Sequence, residues 1–437
     1  MIIASSLSVP CFVTHYNLFM RVSAPSFILI AAVAVFAQNA RKTAALPEAK
    51  SVTVPITLDQ NRVIIDVDVP LSNGSTQRVR AWVDNGDPEL WMSQRVAGLM
   101  GLSIHCDGQV CSAKSSTQAA SLEILIGGMK ILVPATGPIK VPSGAGAIAP
   151  GMTAEMKISS TVLRNYSIVV DFPERRFTIG APGSVKFNGV SSKVVVNPEN
   201  GLVQVPSKIE NKKYNLALDV GSSISFLSED LFDTLSVAHR DWPRMTGAVG
   251  PANMWGSADE TKWNVMRVAH LQFGPVFLTD VAMVKSPAGW MAFFEKRAGV
   301  ATGGLLGAEA LLNYRVGLDY SHSTVYFEIG RTSNFPDFDV IGLVLRPEED
   351  GHFTILSVAD YSGKPSVPQG SDGIQAGDHL IAVGDIPTAG ATLGQLWSML
   401  RGEAGQERRL TIERNGKQFT VIARVQHFLG DRSSENK

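Results

Sequence analysis

Two acids stand in matching surroundings far apart in the chain. Asp84 lies in RAWVDNGDPELWMS, residues 80–93, and Asp219 in NLALDVGSSISFLS, residues 215–228. With Asp84 laid on Asp219, Gly86 falls on Gly221, Trp91-Met92 on Phe226-Leu227, and Ser93 on Ser228. A single Asp-x-Gly is an ordinary turn, since Asp before Gly favours one. Two in one register, each between an apolar strand and an N-cap serine, point to a duplicated unit that brings two carboxylates together. Two carboxylates a hydrogen bond apart cannot both ionise comfortably, so one keeps a proton. Such a pair can take a proton from a water while donating one to the group that water attacks.

The flanking elements repeat in the same order. In the first copy the alternating strands RVIIDVDVPL and RVRAWVD feed Asp84, a short helix is expected from Gln94 to Leu99, and SLEILIGGMKILVP reads as a hairpin turning at Gly127-Gly128. GAGAIAPGM and TVLRNYSIVVDFPERRFTIG follow. The second copy answers with NLALDVGSS, a helix at 228–235, AHLQFGPVFLTDVAMV, ATGGLLGAEA and LLNYRVGLDYSHSTVYFEIG. A repeat longer than any solenoid unit and present only twice implies two similar β-lobes about a pseudo-twofold axis. After a polar linker at 331–339, a third unit carries VIGLVLRP, HFTILSVAD, GIQAGDHLIAVGDIP, a helix at 393–400, and two strands joined at Asn415-Gly416. The expected boundaries are a signal region at 1–40 with Met20 as an alternative start, lobes at 46–185 and 190–332, the third unit at 337–427, and a disordered tail at 428–437.

Composition sets the frame. The 437 residues are 45% hydrophobic and 18% charged, with a formal net charge of -1, which gives no reason to expect a nucleic-acid partner. Arg21, the apolar run 27–37 and the small residues after it follow the order of a secretory signal. The chain is therefore expected to be exported, periplasmic or secreted, or membrane-anchored if that segment is retained. Cys106 and Cys111 in HCDGQVC are spaced for a small-loop disulfide or stand as free thiols. His105 is their only neighbouring ligand type, so no metal is expected, and no cofactor.

Asp-x-Gly-Ser after an apolar strand, then a hairpin, then Leu305-Leu306-Gly307 and a strand with Asp319-Tyr320, resembles one lobe of a retropepsin- or pepsin-type aspartic peptidase. Leu90-Trp91 adds a pepsin-like feature after the first motif. Residues 337–427 resemble a bacterial-type PDZ domain, with Ile341, Gly342, Leu343 and Val344 in the place of its peptide-carboxylate loop. The resemblance implies a mainly β fold, a bilobal pair of aspartic-peptidase-like β-barrels followed by a PDZ domain. It also implies Asp84 and Asp219 as a catalytic dyad, a polypeptide substrate or peptide ligand, a PDZ-bound segment or C-terminus, and a monomer, because both lobes lie in one chain.

The family motif places a hydroxyl residue between acid and glycine. Here Asn85 and Val220 stand there, so a cross-lobe lock through those side chains is expected to be half made. Ser222 keeps the hydroxyl beside the second acid, whereas Asp87 sets a third carboxylate near the first and is expected to raise its neighbours' pKa values. Two readings stand: an aspartic-type endopeptidase, and a pseudo-peptidase whose cleft and PDZ unit bind peptide without cutting it.

Overall fold

The computed structural model describes residues 50–107, 110–115, 121–134, 137–142, 146–330, 338–361, 364–368 and 373–430. The signal region and residues 331–337 of the linker lie outside these. Among the described residues the chain is mainly β, and no helix is long and apolar enough to cross a membrane.

Each acidic turn is built on the same local plan. In the first copy Arg62–Pro70 and Thr76–Asp84 pair antiparallel. Their alternating apolar residues, Val63, Ile65 and Val67 against Val79, Ala81 and Val83, are all buried, as the two-residue strand period requires. Met156–Ser159 runs parallel beside the end of the acid strand, Ser159 opposite Asp84, and antiparallel to Trp91–Met92. Ser93 then accepts a hydrogen bond from Val96 N and starts the helix Gln94–Leu99. The second copy repeats this: Val203–Ile209 pairs with Lys212–Leu218, and Gly304–Leu306 runs parallel to the acid strand and antiparallel to Ser225–Leu227. Ser228 caps the helix Glu229–Ala238.

The copies meet in one six-stranded sheet. Ser167–Asp171 pairs with Tyr314–Asp319 at its centre, with Val169 opposite Gly317. Outside them lie Arg176–Gly180 and Thr324–Ile329, and at the edges Ser51–Pro55 and Val190–Lys193. The sheet is thus symmetric, three strands from each copy. The copies differ between the capped helix and the long hairpin. The first has a hairpin of Leu102–Asp107 and Val110–Ser115. The second has the short strand Arg244–Thr246 and two 3-10 turns, Gly250–Ala252 and Ala258–Lys262.

Residues 338–430 form a sheet in the order Leu343–Pro347, Phe353–Val358, His379–Val383, Glu407–Arg414, Lys417–Arg424. The helix Leu393–Leu400 has a capping box of Thr392 and Gln395 and buries Leu393, Leu396 and Leu400. Asp339–Val340 pairs with Gln426–His427. Packing continues past residue 427, where the disordered tail was expected to begin: Phe428 and Leu429 are buried, because their apolar side chains close the core of this unit. That core is continuous with the second copy, since Met245, Val249, Ala252 and Met254 cluster with Leu343, Leu345 and Leu396.

Candidate active site

The two turns face each other. A Cβ on Gly86 would lie 2.1 Å from Asp219 Cγ, and one on Gly221 would lie 2.7 Å from Asp84 Cγ. Each acid therefore rests on the glycine of the opposite turn, and only glycine permits that approach. Within each turn the inner carboxylate oxygen is held alike. Asp84 Oδ1 accepts from Gly86 N at 3.0 Å and Asp87 N at 3.2 Å, and Asp219 Oδ1 accepts from Gly221 N and Ser222 N at 2.9 Å each. Asp84 is 4% and Asp219 8% exposed.

The cross-copy lock is made by one side chain. Asn85 Nδ2 donates to Leu218 O at 2.8 Å, and Asn85 Oδ1 accepts from Val220 N at 2.8 Å. An amide can donate and accept at once, so Asn85 makes both bonds from one side, and Val220 contributes its backbone while its side chain is buried in the core. The Ser222 hydroxyl turns away from Asp219 to Ile224 O at 2.7 Å. It holds the acid through its N–H only.

Asp87 raises both Asp84 and Asp219, as its charge implies, and two cations reach it. Lys157 Nζ forms an ion pair with Asp87 Oδ2 and lies 3.5 Å from Asp84 Oδ2, while Arg297 Nη2 lies 3.0 Å from Asp87 Oδ1. Lys157, 2% exposed, comes from the strand beside Asp84, and its Nζ sits 5.5 Å from the Trp82 ring and 5.6 Å from Trp91. Burial pushes Asp87 up, but Lys157 and its hydrogen bonds bring it below the usual carboxylate range. Burial raises Asp84 to about 6 even though Lys157 opposes the rise, an opposition larger than the push from Asp87. Burial, and then the neighbouring Asp84, drive Asp219 well above the ordinary range. The lower acid thus ionises while the higher keeps its proton.

An aromatic and cationic group flanks the pair. Trp82 Nε1 donates to Gly221 O at 3.2 Å, and its ring meets Trp255 edge-on at 5.9 Å. The buried Arg62 guanidinium lies 4.8 Å from the Trp255 ring and bonds Met254 O. Burial lowers Arg62 to about 10. Trp255 is 44% exposed and joins this group from the second copy.

Sequence reasoning did not reach Lys157, Arg297 or Arg62. The first is a lysine in the short, fully buried strand Met156–Ser159, whose sequence, Met-Lys-Ile-Ser, carries no sign of that burial. Of the other expected residues, Cys106 and Cys111 form a disulfide. Ile341, Gly342, Leu343 and Val344 are buried or fully enclosed, with Ile341 N bonded to Leu400 O and Leu343 N to Ile341 O. Among the described residues no group of three His, Cys, Asp or Glu side chains is placed to hold a metal.

No family model and no curated protein matches the chain. Among solved structures it has a weak likeness to the aspartic proteinase from Irpex lacteus, at 12% identity and a TM-score of 0.39. The alignment covers 65% of this chain and 98% of that one.

Proposed function

We propose that the chain is an aspartic-type endopeptidase working through Asp84 and Asp219. The observation that carries this reading is the reciprocal seating of each carboxyl on the other turn's glycine. Asp84, lower in pKa and beside Lys157, is the ionised partner; Asp219 holds the proton. A water between them would lose a proton to Asp84 as its oxygen bonds to the peptide carbonyl carbon, and Asp219 would protonate the carbonyl oxygen. Collapse of the resulting gem-diol breaks the C–N bond as the nitrogen takes up the proton from Asp84 and one hydroxyl returns its proton to Asp219, which restores the starting pair. This proton sharing is general to aspartic proteases. Asn85 holds the turns in register, and Lys157 and Arg297 neutralise Asp87.

On this reading residues 46–185 and 190–332 are the two lobes. Residues 337–427 are a PDZ-type unit, a reading supported by their short strands and single capped helix. The protein is exported and acts as a monomer on polypeptide. The test is cleavage of a denatured protein across pH 4 to 8 by the full chain, Asp84→Asn and Asp219→Asn. Loss of on the order of 10²-fold or more in either variant is expected; equal, background-level cleavage by all three would refute the reading.

One observation favours a pseudo-peptidase instead. Trp82 covers the Asp219 turn through its bond to Gly221 O, and both acids are nearly enclosed. If the chain binds denatured protein with the same affinity in Asp219→Asn and cleaves it in neither form, the binding reading replaces the catalytic one.

A further inference from the structure

Leu343–Pro347 is an edge strand: its sheet continues on one side only. An open edge beside a helix is the place where a peptide adds as a further strand. Here the outward backbone of its middle residue is already used. Leu345 N donates to Asn253 Oδ1 at 3.0 Å, and Asn253 Nδ2 donates to Leu345 O at 3.0 Å. One side-chain amide thus makes both bonds that an added strand would make there. Glu260, buried, fixes the amide by accepting from Asn253 Nδ2 as well as from Trp255 N and Gly256 N.

The rest of the segment fills the space between that strand and the helix Leu393–Leu400. A Cβ on Gly250 would lie 2.7 Å from Trp397 Nε1, and one on Gly256 would lie 2.9 Å from Leu345 O. The same segment braces the acid turn. Ser223 Oγ donates to Pro251 O at 3.0 Å, and the Ser222 hydroxyl lies 3.9 Å from Met254 Sδ. From the first copy, Gln60 Nε2 donates to Gly250 O at 3.0 Å and Arg62 bonds Met254 O.

We propose that the groove of the third unit takes residues 250–256 of its own chain as its ligand, and that Asn253 is thereby a positioning residue for Asp219. The third unit is then a clamp on the acid turn, and its edge is closed to the termini of other proteins. This deepens the dyad reading, but its structural part holds whether or not the chain cuts peptides.

The test is amide hydrogen exchange on the full chain, comparing wild type with Asn253→Ala and with Leu410→Ala, a cavity variant inside the third unit's sheet. Asn253→Ala is expected to speed exchange at least tenfold in Leu343–Pro347 and also in residues 219–224, since it removes both buried hydrogen bonds to Leu345. Leu410→Ala is expected to leave residues 219–224 as in wild type. Faster exchange in Leu343–Pro347 alone would overturn the positioning role, and unchanged exchange there would overturn the clamp. Should the alanine variant not fold, Asn253→Asp serves: its carboxylate would face Glu260, so exchange in both segments is expected to rise with pH beyond the wild-type trend, and a wild-type trend overturns the proposal. In the kinetic arm Asn253→Ala is expected to lower kcat about tenfold with KM within twofold; a change in KM alone overturns the positioning role. Selection of a common C-terminal motif by the intact chain from displayed peptides would overturn the occupied groove.

Discussion

Lys157 Nζ stands 3.5 Å from Asp84 Oδ2 with both side chains shielded from solvent, at 2% and 5% exposure. A cation there opposes the rise that burial gives Asp84. The dyad should therefore lose activity as pH falls through about 6, where Asp84 takes up its proton, and again at higher pH as Asp219 ionises. A bell-shaped kcat/KM profile with its acidic limb near 6 is the expected result. A limb near 4 would place Asp84 outside the essential pair.

Replacing Lys157 with Met should move that acidic limb upward, since the attraction that favours ionised Asp84 is gone. It should also destabilise the fold by about 3–5 kcal/mol, the usual effect of removing one partner of a buried ion pair. Urea denaturation at pH 7 measures the second effect. A limb that stays in place would show that Lys157 does not set the charge of Asp84.

The raised Asp84 carries a sign for stability. Its folded pKa of about 6 exceeds its ordinary value of 3.8, so its contribution is fully present below about 4 and lost as pH rises through 6. At neutral pH the buried carboxylate costs on the order of 3 kcal/mol, from 1.36 kcal/mol for each pH unit. Asp84→Asn should accordingly raise the thermal midpoint at pH 7.5 and leave it nearly unchanged at pH 3.5. Equal midpoints at both pH values would contradict the burial argument.

Asn85 makes two buried hydrogen bonds across the copies, to Leu218 O and from Val220 N. Asn85→Leu leaves both backbone groups unpaired, at about 1–3 kcal/mol each, and should lower kcat with the loss of alignment. The double change Asn85→Thr with Val220→Thr restores hydroxyls in both turns and should recover more activity than Asn85→Thr alone. Denaturation and kinetics of the three variants decide this.

Gly86 and Gly98 make a matched pair of substitutions. Alanine at Gly86 would drive a methyl to 2.1 Å from Asp219 Cγ, whereas Gly98, inside the helix Gln94–Leu99, has nothing within 4 Å. Gly98→Ala should stabilise by about 0.5–1 kcal/mol. Gly86→Ala should destabilise and abolish cleavage. An active Gly86→Ala enzyme would mean that the turns do not meet as closely in solution.

The two acids and the frame around them were legible because their signals are local: an apolar strand, Asp-x-Gly, a capping serine. The helix Leu393–Leu400 likewise announces itself through Thr392 and Gln395. What escaped is carried by contacts between distant residues. Asp87 reads in sequence as a third negative charge, yet its partners lie 70 and 210 positions away at Lys157 and Arg297. Arg297 sits on the helix Trp290–Ala298, which starts at Gly289 with no side-chain cap and so carries no N-terminal signature. Asn253 escaped for a related reason: a side chain that imitates a strand has no strand pattern around it.

The shared six-stranded sheet has a consequence for any half of this chain. A lone first repeat would keep Ser51–Pro55, Arg176–Gly180 and Ser167–Asp171, with the last as an open edge. In the intact chain that edge is met by its own counterpart, centred on Val169 opposite Gly317. A second copy of the first repeat could close it in the same register, Val169 against Val169. The half-chain would then be a homodimer, and the acid facing Asp84 would be another Asp84.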